Sequence, residues 1–366
     1  QQMAVLRLQA LDCQLCVNRT REQYSMNGMN DTSVIVGDVG GTNARFAVFA
    51  PQTGTLSSIR ILQCADYVDF ISMLDAYLAG GDAGGDADGD YNIAMHRLSL
   101  AVAGPVDDDY VSLSNNDMSF SKRGLVSQYQ LAELTVVNDF TAQAMAVPYL
   151  DPAHVKTLRT GIAYDNTPIL VLGPGTGMGF STLVPTVSGW RPLETEGGNI
   201  GLSPQSADED MLVSWLRNQT DYLVSETALS GRGIEYLYAY WAEKEAEELR
   251  FTTAAEIGDA ALSGDLLAEK AICQFFDILG SYIADGILAT GSRHAVYLSG
   301  GIVPKLLDLL PKSQFLARAG IRGVHSDYIN SVPIHLVMDP YAGLSGAGYS
   351  ALSRELSHRT ITSETA

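Results

Sequence analysis

This sequence predicts an α/β protein built from two similar halves. Residues 34–49 (VIVGDVGGTNARFAVF) read as an apolar strand, a glycine turn and a second strand, and residues 169–184 (ILVLGPGTGMGFSTLV) repeat that construction about 135 residues later, near one domain length. Around these units, strands alternate with helical stretches in the manner of βαβ chains. A length of 366 residues is enough for about two domains. The predicted division is an N-terminal extension (1–30), a smaller lobe (31–149 with 339–366) and a larger lobe (150–338).

Each element has its own signature. The extension lacks strand alternation and ends in Ser25-Met26-Asn27-Gly28-Met29-Asn30. Within it, Arg7-Leu8-x5-Gln14-Leu15 resembles an N-terminal peroxisomal or glycosomal import signal. On a helix, Leu8, Leu11 and Leu15 would share a face flanked by Arg7 and Gln14, so the segment reads either as an address for an import receptor or as a fraying leader. Residues 80–90 (GGDAGGDADGD) are too rich in Gly and Asp to pack and read as a solvated insertion. LSLAVAGPV (98–106) and LTVVNDF (134–140) read as buried strands, the second feeding the helix-like TAQAMAV. Residues 208–247 and 252–290 read as helical, AVYLSGGIVP (295–304) as strand, Gly-Gly turn and helix, and Tyr341 to Leu356 as a last helix returning to the first lobe.

Composition narrows the function. Forty-two acidic against 23 basic side chains give a net charge of −19, which repels phosphate backbones and anionic lipid heads. Nucleic acid and membrane are therefore not expected partners, and an anionic ligand must be held by main-chain amides, a helix terminus or a metal ion. Four cysteines fit a reducing compartment, and the Cys13/Cys16 pair lacks the further ligands of a zinc site. No uninterrupted apolar run approaches the ~18 residues of a membrane span. The six histidines show no ligand or triad spacing.

The chemistry-bearing residues fall into three groups. Asp38-Val39-Gly40-Gly41-Thr42-Asn43 leaves a strand end with two glycines that admit close backbone approach, either as a phosphate cradle or as a plain hairpin turn. Asp38 could hold Mg²⁺ through water. Gly173-Pro174-Gly175-Thr176-Gly177-Met178-Gly179 is a second such turn, neither loop contains lysine, and no Walker-type P-loop occurs. Asn138-Asp139 ends an apolar strand where α/β crevices open, so Asp139 is a candidate base for a hydroxyl proton; the competing reading is a cap for the helix beginning near Thr141. Asn115, Asn138, Glu196, Asn199 and Glu226 make a set able to read sugar hydroxyls, the alternative being a solvated acidic surface with a helix cap at Glu226.

In this order, VGDVGGTNARFAVF, AVAGPV, SNNDMSFS, VVNDFTAQAMAVP, GPGTGMG, EGGN, ETALSGRG and SGGIVP resemble the bacterial-type glucokinases of the actin/hexokinase/Hsp70 fold group, from about residue 33 to 356. The resemblance implies a duplicated ribonuclease-H-like α/β fold with a central mixed sheet in each lobe. It further implies lobes closing over sugar and Mg-ATP, phosphoryl transfer to the glucose 6-hydroxyl, and a homodimer. Carried over by position, Asp139 is the base, with Asn115, Asn138, Glu196 and Glu226 on glucose. Asp38, Gly40, Gly41, Thr42 and Asn43 meet phosphate or magnesium, Gly175, Thr176 and Gly177 form the second phosphate loop, and Gly300, Gly301 and Gly346 meet adenosine. One departure stands out: the family's usual E-G-G-H reads Glu196-Gly197-Gly198-Asn199, and Asn cannot ionise. The cysteine-rich zinc motif of the related ROK sugar kinases is absent. A kinase of another hexose or amino sugar would share the phosphate motifs. A non-catalytic sugar sensor would need an altered base or phosphate loop, and neither is seen. The implied localisation is cytoplasmic, or organellar if Arg7 to Leu15 acts as an address.

Overall fold

A computed structural model describes residues 33–80, 96–113 and 117–365. The N-terminal extension with its import-like element and Cys13/Cys16, most of the Gly/Asp-rich stretch, and Asn115 lie outside the described residues. The described residues fall into two compact units: those up to 150, with 186–191 and 340–365, form the first, and residues 151–185 and 192–339 the second.

The first unit is organised on strands β1 (Val34–Val39), β2 (Asn43–Ala50), β3 (Thr55–Gln63), β4 (Arg97–Val102), β5 (Tyr110–Ser112), β6 (Ser119–Ser121) and β7 (Glu133–Asn138). Its main sheet runs β3-β2-β1-β4-β7 and ends on the last strand, Thr360–Thr362. β1, β4 and β7 are parallel, whereas β2, β3 and the last strand are antiparallel to their neighbours. Central strands buried on both faces read as continuous apolar runs, as Val34–Val36 and Val136–Val137 do. The helix Ala342–Leu352 packs against the helix Asp139–Ala146 and against β1 and β4.

A second sheet, in the second unit except for the β10–β11 turn at residues 186–191, repeats this wiring with β8 (Val155–Arg159), β9 (Ile169–Pro174), β10 (Met178–Thr186), β11 (Gly189–Glu194), β12 (Ala295–Leu298) and β13 (Ile334–Val337), in the order β11-β10-β9-β12-β13-β8. β9, β12 and β13 are parallel, and β10 folds back on β9. Each half therefore has one mixed sheet containing a glycine-turned hairpin read from the sequence, β1–β2 in the first and β9–β10 in the second.

The long helical stretches expected at 208–247 and 252–290 are interrupted. Helices occupy Ala207–Leu216, Ser225–Ala228, Gly231–Glu245, Ala254–Leu262 and Leu266–Thr290, because capping side chains restart the chain: Ser230 accepts from the Gly233 N–H and Asp265 from the Ala268 N–H. Leu266–Thr290 is long and apolar enough to cross a membrane by length and composition, although charged residues interrupt its apolar run. Seventy-two per cent of its most apolar window is buried in the second unit, among residues such as Phe275, Phe276, Ile283 and Ile287, as befits a core helix. At its side a buried ion pair joins elements: the Arg318 guanidinium donates to both oxygens of Glu209, at 2.7 and 2.9 Å, and Gln274 adds a third donor. That satisfaction is what makes a buried carboxylate tolerable.

His335 on β13 gives the second unit a pH dependence. Burial, reinforced by His294, pushes its imidazole down to about 4, against about 6.5 for an unperturbed histidine. The unfolded chain thus takes up a proton that the folded chain refuses, so this contribution is intact above pH ~6.5 and is lost as pH falls towards 4. His335→Leu is expected to flatten the fall of the urea midpoint between pH 7 and 5; an unchanged slope would contradict the assignment.

Candidate active site

In the first unit, Asn138 closes β7 and Asp139 opens the following helix. The Asn138 side-chain oxygen accepts from the Phe140 N–H at 2.9 Å and from the Thr141 N–H at 3.4 Å, so the cap is Asn138 and not Asp139. This corrects the capping reading of Asp139. Asp139 is relieved of capping by its neighbour and is the first helical residue, half-buried, with Oδ1 accepting from the Phe140 N–H at 2.8 Å. Asn138 has its oxygen committed to the helix, which leaves its amide group as the part able to meet a sugar hydroxyl.

The β1–β2 turn is held from beside. Gly40 N–H donates to the Asn43 carbonyl at 3.0 Å, Cys64 N–H to the Thr42 carbonyl at 2.9 Å, and the Cys64 thiol to the Gly40 carbonyl at 3.4 Å. Gln63 Nε2 donates to Asn43 Oδ1 at 2.6 Å, which occupies one acceptor of a residue expected to face phosphate. Thr42 is exposed at the tip. Antiparallel register sets Arg45 opposite Asp38, and the two form an ion pair at 3.1 Å. Burial pushes the Asp38 carboxyl up and Arg45 partly offsets it. Seven residues apart in the chain, the two are made partners by the hairpin.

In the second unit, the predicted phosphate loop and one pair of predicted adenosine glycines lie together. Gly300 has φ +93° and stands against the Pro174 carbonyl, where a Cβ would come within 2.9 Å. Inside the loop, Gly175 N–H donates to the Gly177 carbonyl at 2.7 Å, and Gly231 N–H donates to the Gly175 carbonyl at 2.9 Å. The Glu226 carboxylate accepts from the Met178 N–H at 2.8 Å. Glu196 and Asn199 are exposed at the two ends of one tight turn, with Asn199 N–H bonded to the Glu196 carbonyl at 3.0 Å.

A cleft of about 610 Å³ opens beside Thr176 and Glu226, also lined by Arg217, Tyr222, Arg232 and Tyr236. Arg232 is held over the Tyr236 ring, 5.3 Å from its centroid, and donates Nε–H to the Tyr236 hydroxyl at 2.9 Å. Sequence reasoning looked for lysine inside the glycine loops and missed these arginines. The available signal was Arg232 in the S-G-R-G run directly after Glu226.

Among the described residues no group of three or more His, Cys, Asp or Glu side chains comes together. A lone carboxylate such as Asp38 fits a magnesium ion that keeps most of its waters and takes other oxygens from phosphates.

A family model described as Glucokinase matches residues 35–354. The glucokinase of Chromohalobacter salexigens is 38% identical over 313 residues, covering 86% of this chain and 95% of that protein. The chain belongs to the glucokinase family. A bifunctional protein of Paraburkholderia xenovorans is 33% identical over 91% of this chain, which spans 50% of that protein's length. The crystal structure of a glucokinase from an Antarctic psychrotroph aligns with a TM-score of 0.78 at 32% identity, covering 88% of this chain and 99% of the other. Family and fold together assign an ATP-dependent glucose kinase on the actin-like ATPase fold.

One expected glucokinase site residue has a different task. Gly346 is buried within the first unit between the helices Ala342–Leu352 and Asp139–Ala146, and a Cβ there would lie 1.7 Å from the Ala142 carbonyl oxygen. It lets two backbones touch and offers no surface to adenosine. Gly346→Ala is accordingly expected to cost about 1–3 kcal/mol of unfolding free energy with little change in KM for ATP. A normal urea midpoint with a raised KM would restore the nucleotide role.

Proposed function

We propose that the chain phosphorylates the 6-hydroxyl of D-glucose with ATP, and that Asp139 is the general base. As the hydroxyl oxygen attacks the γ-phosphorus, its proton passes to the Asp139 carboxylate; the bond from phosphorus to the new oxygen forms while the bond to the β-phosphate bridging oxygen breaks, and ADP leaves with that electron pair. The observation that carries this is the position of Asp139: first residue after a central parallel strand, fixed by its neighbour's cap, and half-buried. Such strand ends are where α/β folds present ligands.

The remaining assignments belong to the same reading. Asn138, Glu196, Asn199 and Glu226, with Asn115, read the sugar hydroxyls. Gly40, Gly41, Thr42 and Asn43 offer main-chain and hydroxyl groups to phosphate; Gly175, Thr176 and Gly177 form the second phosphate loop, and Gly300 and Gly301 the adenosine contact. Arg217 and Arg232, beside Thr176, supply positive charge that the second loop lacks. Asp38 would hold Mg²⁺ through water, and the ion, when bound, offsets phosphate charge. Asn199, in place of the family's usual histidine, favours a second reading, a kinase whose preferred hexose is not glucose; turnover across glucose, fructose, mannose and glucosamine separates the two. A homodimer rests on the family resemblance alone. So does placement in the cytoplasm, while the Arg7 to Leu15 element supports import into a peroxisome-like organelle. A tagged chain with Arg7 and Leu8 replaced should turn an organellar pattern diffuse, and a pattern that was diffuse from the start would dismiss the address.

Asp139→Asn is expected to lower kcat by about 10²–10⁴-fold while glucose binding, read by calorimetry, persists. Turnover like that of the unaltered protein would reject Asp139 as the base.

A further inference from the structure

Met178, the residue that closes the second glycine loop, lies between two of the segments assigned to the sugar. Its N–H donates to Glu226 Oε2 at 2.8 Å. Its carbonyl faces Gly198 of the Glu196–Asn199 turn, so closely that a Cβ on Gly198 would come within 2.3 Å of the oxygen. The Glu226 carboxylate also covers Gly177, where a Cβ would meet Oε2 at 2.6 Å.

The two sugar segments are themselves joined. Ser225 N–H donates to the Ile200 carbonyl at 2.7 Å, and the Tyr282 hydroxyl donates to the Gly197 carbonyl at 2.6 Å from the buried helix Leu266–Thr290. Burial, followed by the nearby Glu226 charge, pushes the Tyr282 hydroxyl up, so Tyr282 remains the donor that fixes this turn. Loop, turn and Glu226 form one braced cluster within the second unit.

We infer that Glu226 is a positioning residue for the phosphate loop as well as a reader of sugar hydroxyls, so that sugar occupancy and nucleotide affinity are coupled through the Glu226–Met178 hydrogen bond. A carboxylate has two oxygens. One holds the loop peptide and the other is the natural acceptor for a sugar hydroxyl, so a bound sugar restrains the side chain that restrains the loop. Fixing the loop in advance lowers the ordering cost of the second ligand, which is positive coupling, and thermodynamic linkage makes it reciprocal. The inference rests on the glucokinase reading for the identity of both ligands.

The test is calorimetric titration of a non-hydrolysable ATP analogue with Mg²⁺ into the full chain, without and with saturating glucose. In the unaltered protein glucose is expected to tighten the analogue by roughly 5-fold or more. Gly177→Ala, which drives a methyl group into Glu226 Oε2, is expected to bring that factor close to one. Gly201→Ala, at a glycine with no atom within 4 Å of the added Cβ, should leave it intact. Glu226→Gln keeps a carbonyl oxygen for the Met178 N–H and should retain the factor, whereas Glu226→Ala should abolish it. This second pair decides the matter if Gly177→Ala does not fold. No tightening in the unaltered protein, an undiminished factor in Gly177→Ala, or equal factors in the Gln and Ala variants would overturn the inference. A coupled assay on the unaltered protein separates the two levels: an active hexose kinase with any of these results loses only the coupling, while absence of turnover with every hexose removes the underlying function.

Discussion

A hydrogen bond between one side chain and the first amides of its own helix determines what Asp139 can do. By accepting from Phe140 and Thr141, the Asn138 oxygen caps the helix that Asp139 opens. Asp139 then stands at the mouth of a parallel strand, half-buried, with Oδ1 sharing the Phe140 N–H at 2.8 Å. General base catalysis depends on position before basicity, and the cap supplies the position. The same helix is pinned from behind by Gly346, where backbone meets backbone. Residues assigned to chemistry and residues assigned to packing are thus neighbours in one arrangement.

Charge is the second constraint. A chain with a net charge of −19 must hold a polyphosphate, and neither glycine loop contains a lysine. Beside the first loop lies the Asp38–Arg45 ion pair, and in the second unit two arginines stand on the wall of the cleft beside Thr176. Because these devices are local, screening by salt acts on the protein's long-range field more than on the contacts themselves. Glu226 brings a further negative charge to the same place, and its hydrogen bond to Met178 shows what offsets the cost: the carboxylate is used to brace the loop.

Much of this arrangement is legible in the sequence. The two hairpins follow from apolar runs interrupted by glycines, and the ordered motifs from VGDVGGTNAR to SGGIVP led to the family. Other features are hidden because they depend on pairings far apart in sequence. Arg45 looks distant from Asp38 until antiparallel register sets them face to face. Gly346 looks like a ligand glycine because sequence does not reveal what its missing side chain makes room for. Asp139 reads as the cap of its helix, and only the observed helix start hands that task to Asn138. The interruption of the two long helical stretches followed from capping serines and aspartates that periodicity alone does not weigh.

The most direct measurement is a crystal structure of the chain with glucose and a non-hydrolysable ATP analogue bound together. The account predicts an Asp139 carboxylate oxygen within about 2.6–3.2 Å of the glucose 6-hydroxyl, with that hydroxyl facing the γ-phosphorus. An Asp139 with both oxygens turned onto its own helix amides, or a sugar seated away from it, would contradict the account.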